Sequence, residues 1–222
     1  MKEFFKRLKL ELEDVREDIT SDEIVITAEN AGDFGCGIGF STLSLMILLN
    51  LSKSIGVDKD RNVIQYARTL YKQVKDSFLS GKPENQEQMS SEIEYLTYDA
   101  LKHGEVEFRI GNITSAKNLP RDLDLAYCRR ILTPIYLSEY DNLLSGEFGV
   151  RSALERISLS IKPGGWLIVS EKVSNINFQT FLEQADFNIL ARSKLKRGDI
   201  IEPGRRVTLY KNHLIRYICL KR

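Results

Sequence analysis

Asp33 to Thr42, DFGCGIGFST, is the stretch on which the reading of this chain turns. Glycines at 35, 37 and 39 let the backbone turn sharply and approach a ligand where a Cβ would obstruct it. FSTLSLMILLNL follows directly and reads as a buried helix, so the loop ends at a helix N-terminus whose unpaired N–H groups point into it. A nucleotide-like ligand suits such a loop. Asp33 narrows the choice, because a carboxylate there repels the pyrophosphate that a dinucleotide fold places on its glycines and attracts a cation instead. The plain alternative is a tight strand-to-helix turn, which needs one glycine and no acid.

Downstream, SIGVD reads as a short buried strand ending in Asp58, and DRNVIQYARTLYKQV resumes helical periodicity through Val63, Ala67, Leu70 and Val74. An acid ending the second strand of a doubly wound sheet, about twenty residues after the glycines, can accept hydrogen bonds from ribose hydroxyls. Asp58 is placed for that role. The other use for such a carboxylate is to cap the next helix, and Asp60 is available to do so. EVEFRIGN alternates, with Val106, Phe108 and Ile110 on one side and Glu105, Glu107 and Arg109 on the other, as a strand with one wet face does. DLDLAYCRRIL supplies the next strand through Leu123, Leu125 and Tyr127. VRSALERISLSI is an amphipathic helix running into KPGG, a turn, and then the strand WLIVSEK. A helix from Ser174 carries Phe178, Phe181 and Leu182, and FNILARSKL and HLIRYICL are the last two strands. This alternation predicts an α/β fold built on a doubly wound sheet.

Upstream, Lys2 to Ile19 reads as a charged helix with Phe5, Leu8, Leu12 and Val15 on one side. EIVIT is strand-like, whereas ENAGDFG is a poor strand to lead into Asp33. Two intervals are longer than a connection requires. Residues 75–104 contain GKPENQEQMSSE, a polar loop, and then a helix with Ile93, Leu96 and Ala100, which together read as a lid insertion or as surface elaboration. TPIYLSEYDNLLSGEFG reads as a second long connection rich in aromatic residues.

An acid, one residue and GxGxG, as in DFGCGIG, resembles the first motif of the class I S-adenosylmethionine-dependent methyltransferases. The resemblance extends to Gly111-Asn112-Ile113 after the third strand and to KPGG before the fifth, and covers nearly all of Asp33 to Arg222. It implies a Rossmann-like, seven-stranded, mostly parallel sheet with an antiparallel last strand and helices on both faces. It further implies one domain over residues 1–222, with an N-terminal helical segment at 1–20 that covers the acceptor pocket or simply packs on the sheet. The implied cofactor is S-adenosyl-L-methionine, held by Asp33, Gly35, Cys36, Gly37, Gly39, Asp58, Lys59, Asn112, Ile113 and Cys128. In the family the acid of the loop lies near the methionine ammonium, and an acid at position 112 accepts from the adenine amine; the side-chain oxygen of Asn112 can accept the same bond. Tyr127, Cys128, Arg129 and Arg130 would stand beside the methyl group. The chain has neither NPPY nor DPPY, and no proline precedes Cys128, which weighs against nucleobase amines and cytosine C5 as acceptors. Should a general base be needed, Tyr127, Glu171, His213 and His103 are the candidates.

The 222 residues suffice for one well-buried domain, and 42% hydrophobic with 28% charged residues is ordinary for a globular protein. A formal charge of +1 gives no overall pull toward nucleic acid or membrane. Between Arg192 and Arg222 the charge is strongly basic, as in a solvated face or an RNA-binding surface. Leu43 to Leu51 is too short to span a bilayer, and MKEFFKRLKLELEDVRED contains no signal core, so a cytoplasmic protein without a membrane partner is expected. Three cysteines without CxxC spacing and two histidines argue against a disulfide framework or a zinc site, and no metal is expected. The expected acceptor is a small molecule offering oxygen or nitrogen. RNA- or protein-directed transfer and a non-catalytic cofactor-binding protein are the alternatives.

Overall fold

A computed structural model describes residues 1–21, 23–81, 92–115, 118–138, 143–172, 176–196 and 213–222. Seven strands form one sheet: β1 (Asn30–Phe34), β2 (Lys53–Asp58), β3 (Glu105–Ile110), β4 (Leu123–Arg129), β5 (Ile161–Lys172), β6 (Phe187–Lys196) and β7 (His213–Lys221). Their order is β3-β2-β1-β4-β5-β7-β6. All pairs from β3 through β5 are parallel, and β7 lies antiparallel between β5 and β6. The expected sheet, with its antiparallel last strand, is therefore the observed one. The helices are α1 (Lys2–Ile19), α2 (Phe40–Leu49), α3 (Arg61–Gly81), α4 (Glu92–His103), α5 (Leu132–Ser138), α6 (Leu143–Ser160) and α7 (Phe178–Gln184). No helix among the described residues is long and apolar enough to cross a membrane.

β1 forms despite its poor composition because neighbours pin it on both sides. Ala31 pairs with Ser54 of β2 and Leu125 of β4. At its entry the Asp124 carboxylate accepts the N–H groups of Glu29 and Asn30, while Asn30 Oδ1 accepts the N–H of Asp124, each at 3.0 Å. Gly32 suits the centre of the sheet, since a Cβ there would stand 2.5 Å from Leu123 Cδ1. EIVIT forms no strand; instead Ile26 packs on the cluster around Val15, Leu45 and Ile168.

The central strands reverse order between β1 and β4, and in an open α/β sheet the ligand crevice lies outside the carboxyl ends at such a point. α1 lies beside that point. Leu8 and Leu12 pack with Leu43 and Met46 of α2, and Val15 and Ile19 with Ala31 and Tyr127. Each such buried side chain stabilises by roughly 1.5–3 kcal/mol.

Two expectations need correction, and a third falls partly outside the described residues. The aromatic connection after β4 contains α5 and the first turns of α6, which starts at Leu143, seven residues before Val150. The KPGG turn lies inside β5: Leu123 pairs with Ile161 and Leu125 with Trp166, so Lys162 to Gly165 bulge opposite Asp124. Gly164 takes φ +75° in the bulge, and Lys162 ion-pairs with Asp124. Of the 75–104 interval, α3 continues to Gly81 and α4 buries Leu101 in the cluster of Met46 and Val106; residues 82–91 lie outside the described ones.

Candidate functional site

The end of β1 turns back over β2, with the N–H groups of Gly35 and Cys36 donating to Val57 O at 2.7 and 3.1 Å. One residue on, the N–H of Gly37 donates to Asp58 Oδ2 at 3.1 Å, and Asp58 Oδ1 accepts the Asp60 N–H at 2.9 Å. Asp60 caps α3 through the N–H groups of Asn62 and Val63, so Asp58 is not needed as the cap. Past β3, Asn112 Oδ1 accepts both the N–H and the hydroxyl of Thr114, at 2.9 and 2.8 Å. Asp58, Lys59, Asn112 and Ile113 form one side of a cleft of about 340 Å³. Ile131, Pro134 and Ile135 form the other, and Gly35 and Arg130 close it.

Gly35 and Arg130 also border a second cleft of about 370 Å³, lined by Asp33, Cys36, Gly37 and Ser41 and by Glu11, Asp14 and Arg129. Asp33 is 2% exposed, and its Oδ2 accepts the hydroxyls of Ser41 and Thr42 at 2.6 and 2.7 Å. Burial pushes its carboxyl up to about 6, against the opposing pull of those two hydrogen bonds. The carboxylate remains the main form at neutral pH. Across the cleft, Arg129 ties β4 to α1, with NH1 to Glu11 at 2.5 Å, NH2 to Asp14 at 2.6 Å and Nε 3.6 Å from Asp18.

The three glycines of the loop answer to different needs. A Cβ on Gly35 would stand 2.1 Å from Ile131 Cγ2, and one on Gly39 2.4 Å from the Phe108 ring. At Gly37, with φ +54°, a Cβ would meet no atom within 4 Å. The space beside Gly37 belongs to the cleft.

Of the residues expected at the cofactor, Asp33, Gly35, Cys36, Gly37, Asp58, Lys59, Asn112 and Ile113 line one cleft or the other. Gly39 starts α2 and borders an apolar crevice with Phe4 and Phe108. Cys128 is fully buried in β4 beside Phe34, and burial pushes its thiol far up. The proposed bases fare differently from the cofactor set. Tyr127 is fully buried and donates its hydroxyl to Asp18 Oδ2 at 2.6 Å, on the face that α1 covers. Glu171 is equally buried and holds the N-terminus of α5: Oε1 accepts the N–H groups of Ile131 and Leu132, and Oε2 the N–H and hydroxyl of Thr133. Both side chains are engaged in packing the elements around the clefts and line neither. His213 opens β7 opposite Lys196. His103 is exposed on α4 and lies 3.6 Å from Asp99.

Pro134 and Ile135 lie in the stretch read as a long connection, and Ile131 at the end of the segment read for the fourth strand. The available signal was Pro134, which is compatible with the first turn of a helix. Glu11 and Asp14 lie on the polar face of α1 and carry no motif.

The fold and site together define a protein with the class I methyltransferase fold. No protein-family profile and no curated protein sequence matches the chain. Among solved structures it is similar to the N-methyltransferase NodS from Bradyrhizobium japonicum WM9 in complex with S-adenosyl-L-homocysteine, with a TM-score of 0.59 at 14% identity over 98% of this chain and 87% of that one. A S-adenosylmethionine-dependent methyltransferase from Clostridium acetobutylicum ATCC 824 gives 0.56 at 12% identity, over 96% and 90% of the two chains. The [4+2]-cyclase SpnF gives 0.53 at 18%, over 85% and 60%. One fold thus carries both methyltransferase and cyclase activities among these neighbours.

Proposed function

We propose that the protein is an S-adenosyl-L-methionine-dependent methyltransferase that passes a methyl group by in-line displacement to a small O- or N-acceptor. One observation carries this reading. The loop after β1, Asp58 ending β2 and Asn112 past β3 line adjoining clefts where the strand order reverses. The residues fit the cofactor: Gly37 leaves room for a ligand where a Cβ would stand, and Asp33 lies within a cleft that also holds Glu11 and Asp14.

When bound, the cofactor supplies a methyl group on a sulfonium, an electrophile that needs no further activation. Asp58 would accept the ribose hydroxyls, and Ile113, Ile131, Pro134 and Ile135 would give the adenine apolar contact beside the Asn112 amide. Asp33 would supply the negative charge for the ammonium. The chain's main contribution is to orient the reactants and exclude water, an effect that reaches roughly 7–11 kcal/mol in well-aligned systems. Tyr127 and Glu171 are committed to Asp18 and α5, which favours an acceptor whose lone pair is free without a dedicated base.

Arg216 and Lys221 of the basic C-terminal stretch are used inside the fold, which favours a small acceptor over RNA. Arg216 donates to Glu17 O and Thr20 O, Lys221 donates to Ser158 O and Ile161 O, and Arg192 lies 5.6 Å over the Tyr217 ring. Three buried free thiols fit a cytoplasmic setting, and residues 1–222 act as one domain in this reading.

Calorimetric titration with S-adenosylhomocysteine tests the proposal; absence of binding at millimolar ligand would sink it. Incubation with methyl-labelled cofactor and a small-metabolite pool then separates transfer from cofactor binding alone.

A further inference from the structure

α6 has one buried face and one open face. Val150, Ala153, Leu154 and Ile157 are fully buried, in the cluster that also holds Ala126 and Val169 of the sheet. On the other side Phe148 and Leu159 stand 71% and 75% exposed. Isolated apolar side chains on a surface are ordinary. These two are related by position: Leu159 follows Phe148 by about three helical turns, which sets both on one line of the helix about 16 Å long. Arg151 and Glu155, both exposed, lie between them on the same face.

From Phe148 to Leu159 that face therefore runs apolar, basic, acidic, apolar. Turned end for end, it is its own complement. When a second copy of the helix packs antiparallel, Phe148 of one protomer meets Leu159 of the other, and Arg151 meets Glu155, each pair occurring twice about the twofold axis. A parallel pair would set each charge against its like, which is repulsive. Neither Arg151 nor Glu155 forms an ion pair among the described residues, so both charges are open to such a partner.

We propose that this face of α6 is the contact between two copies of the chain, packed antiparallel about a twofold axis. Phe148 and Leu159 supply the attraction by leaving water, and the two charged pairs set the direction of packing. One helix pair covers less than the roughly 1,200–2,000 Å² of a stable interface, so the dimer is weak and exchanges with monomer.

Sedimentation velocity at low salt, from about 5 μM to 1 mM protein, tests the proposal, with far-ultraviolet circular dichroism confirming that each variant keeps its fold. The wild-type protein is expected to pass from monomer toward dimer over that range. Phe148→Gln and Leu159→Gln should each weaken association at least about tenfold, since each substitution removes two apolar contacts from the dimer. Arg151→Glu alone should weaken it about tenfold, and Arg151→Glu combined with Glu155→Arg should restore it to within about threefold. A wild-type protein that stays monomeric at 1 mM overturns the inference. So does a dimer indifferent to Phe148→Gln and Leu159→Gln, which would place the contact elsewhere. Assembly beyond two copies also overturns it, because a twofold contact closes at two. Failure of the double charge exchange to restore association rules out the antiparallel pairing.

Discussion

Thr42 donates its hydroxyl to Asp33 Oδ2 at 2.7 Å, joining the last residue of DFGCGIGFST to the first, and Ser41 donates to the same oxygen at 2.6 Å. The glycine loop is therefore closed by its own carboxylate. Because one oxygen is doubly engaged and the residue is 2% exposed, the negative charge is held in place at a cost in desolvation.

That cost has a pH signature. The folded carboxyl lies at about 6, against an ordinary 3.8, so between those values the folded protein holds a proton the unfolded chain has lost. Asp33 thus adds stability as pH falls from 7 toward 4, by up to roughly 3 kcal/mol. Ammonium binding needs the anion and has the opposite trend. Affinity for S-adenosylhomocysteine should fall about tenfold per unit once pH drops below the Asp33 value of about 6. Titrations from pH 8 to 5 check this, and a flat profile would remove Asp33 from the ligand. Asp33→Asn should melt higher than the wild type at pH 8 yet bind more weakly.

Tyr127→Phe removes the donor to Asp18 and leaves a buried carboxylate short of a partner. A loss of about 1–3 kcal/mol in denaturant unfolding is expected, with cofactor affinity unchanged. A large fall in turnover at unchanged stability would instead restore Tyr127 as a base.

Glu171→Ala strips four hydrogen bonds from the start of α5, the helix that carries Pro134 and Ile135. Stability should fall by about 2 kcal/mol or more. S-adenosylhomocysteine should bind more weakly even with no acceptor present, which a purely catalytic role could not produce.

Gly37→Ala and Gly35→Ala should separate ligand space from packing. At Gly37 the positive φ costs about 1–2 kcal/mol, while the new methyl occupies the cleft, so affinity should fall much more than stability. At Gly35 the methyl meets Ile131 at 2.1 Å, and unfolding in urea should show an additional loss of about 1–3 kcal/mol from overpacking.

What could be read from the sequence was local. Asp58 and Asp60 stand two residues apart, close enough for spacing to offer one to the cleft and the other to the cap of α3. The weak β1 looked doubtful because its stability comes from strands on both sides, above all the Asp124–Asn30 exchange across 94 residues. The partners of Tyr127 and Glu171 were not legible for the same reason. A strand's alternation does not say which helix covers which face, and their partners are Asp18, 109 residues away, and the α5 backbone, 38 to 40 residues away.

Arg216, in β7, reaches back 199 residues to Glu17 O and 196 to Thr20 O, bracing the end of α1. During synthesis α1 acquires this brace only after β7 has emerged. Glu11 and Asp14 take their places beside the loop as part of that same helix, so the finished cleft is a late product of translation. A ribosome-bound chain lacking β7 would carry the motif DFGCGIGFST without the fully secured wall that faces it.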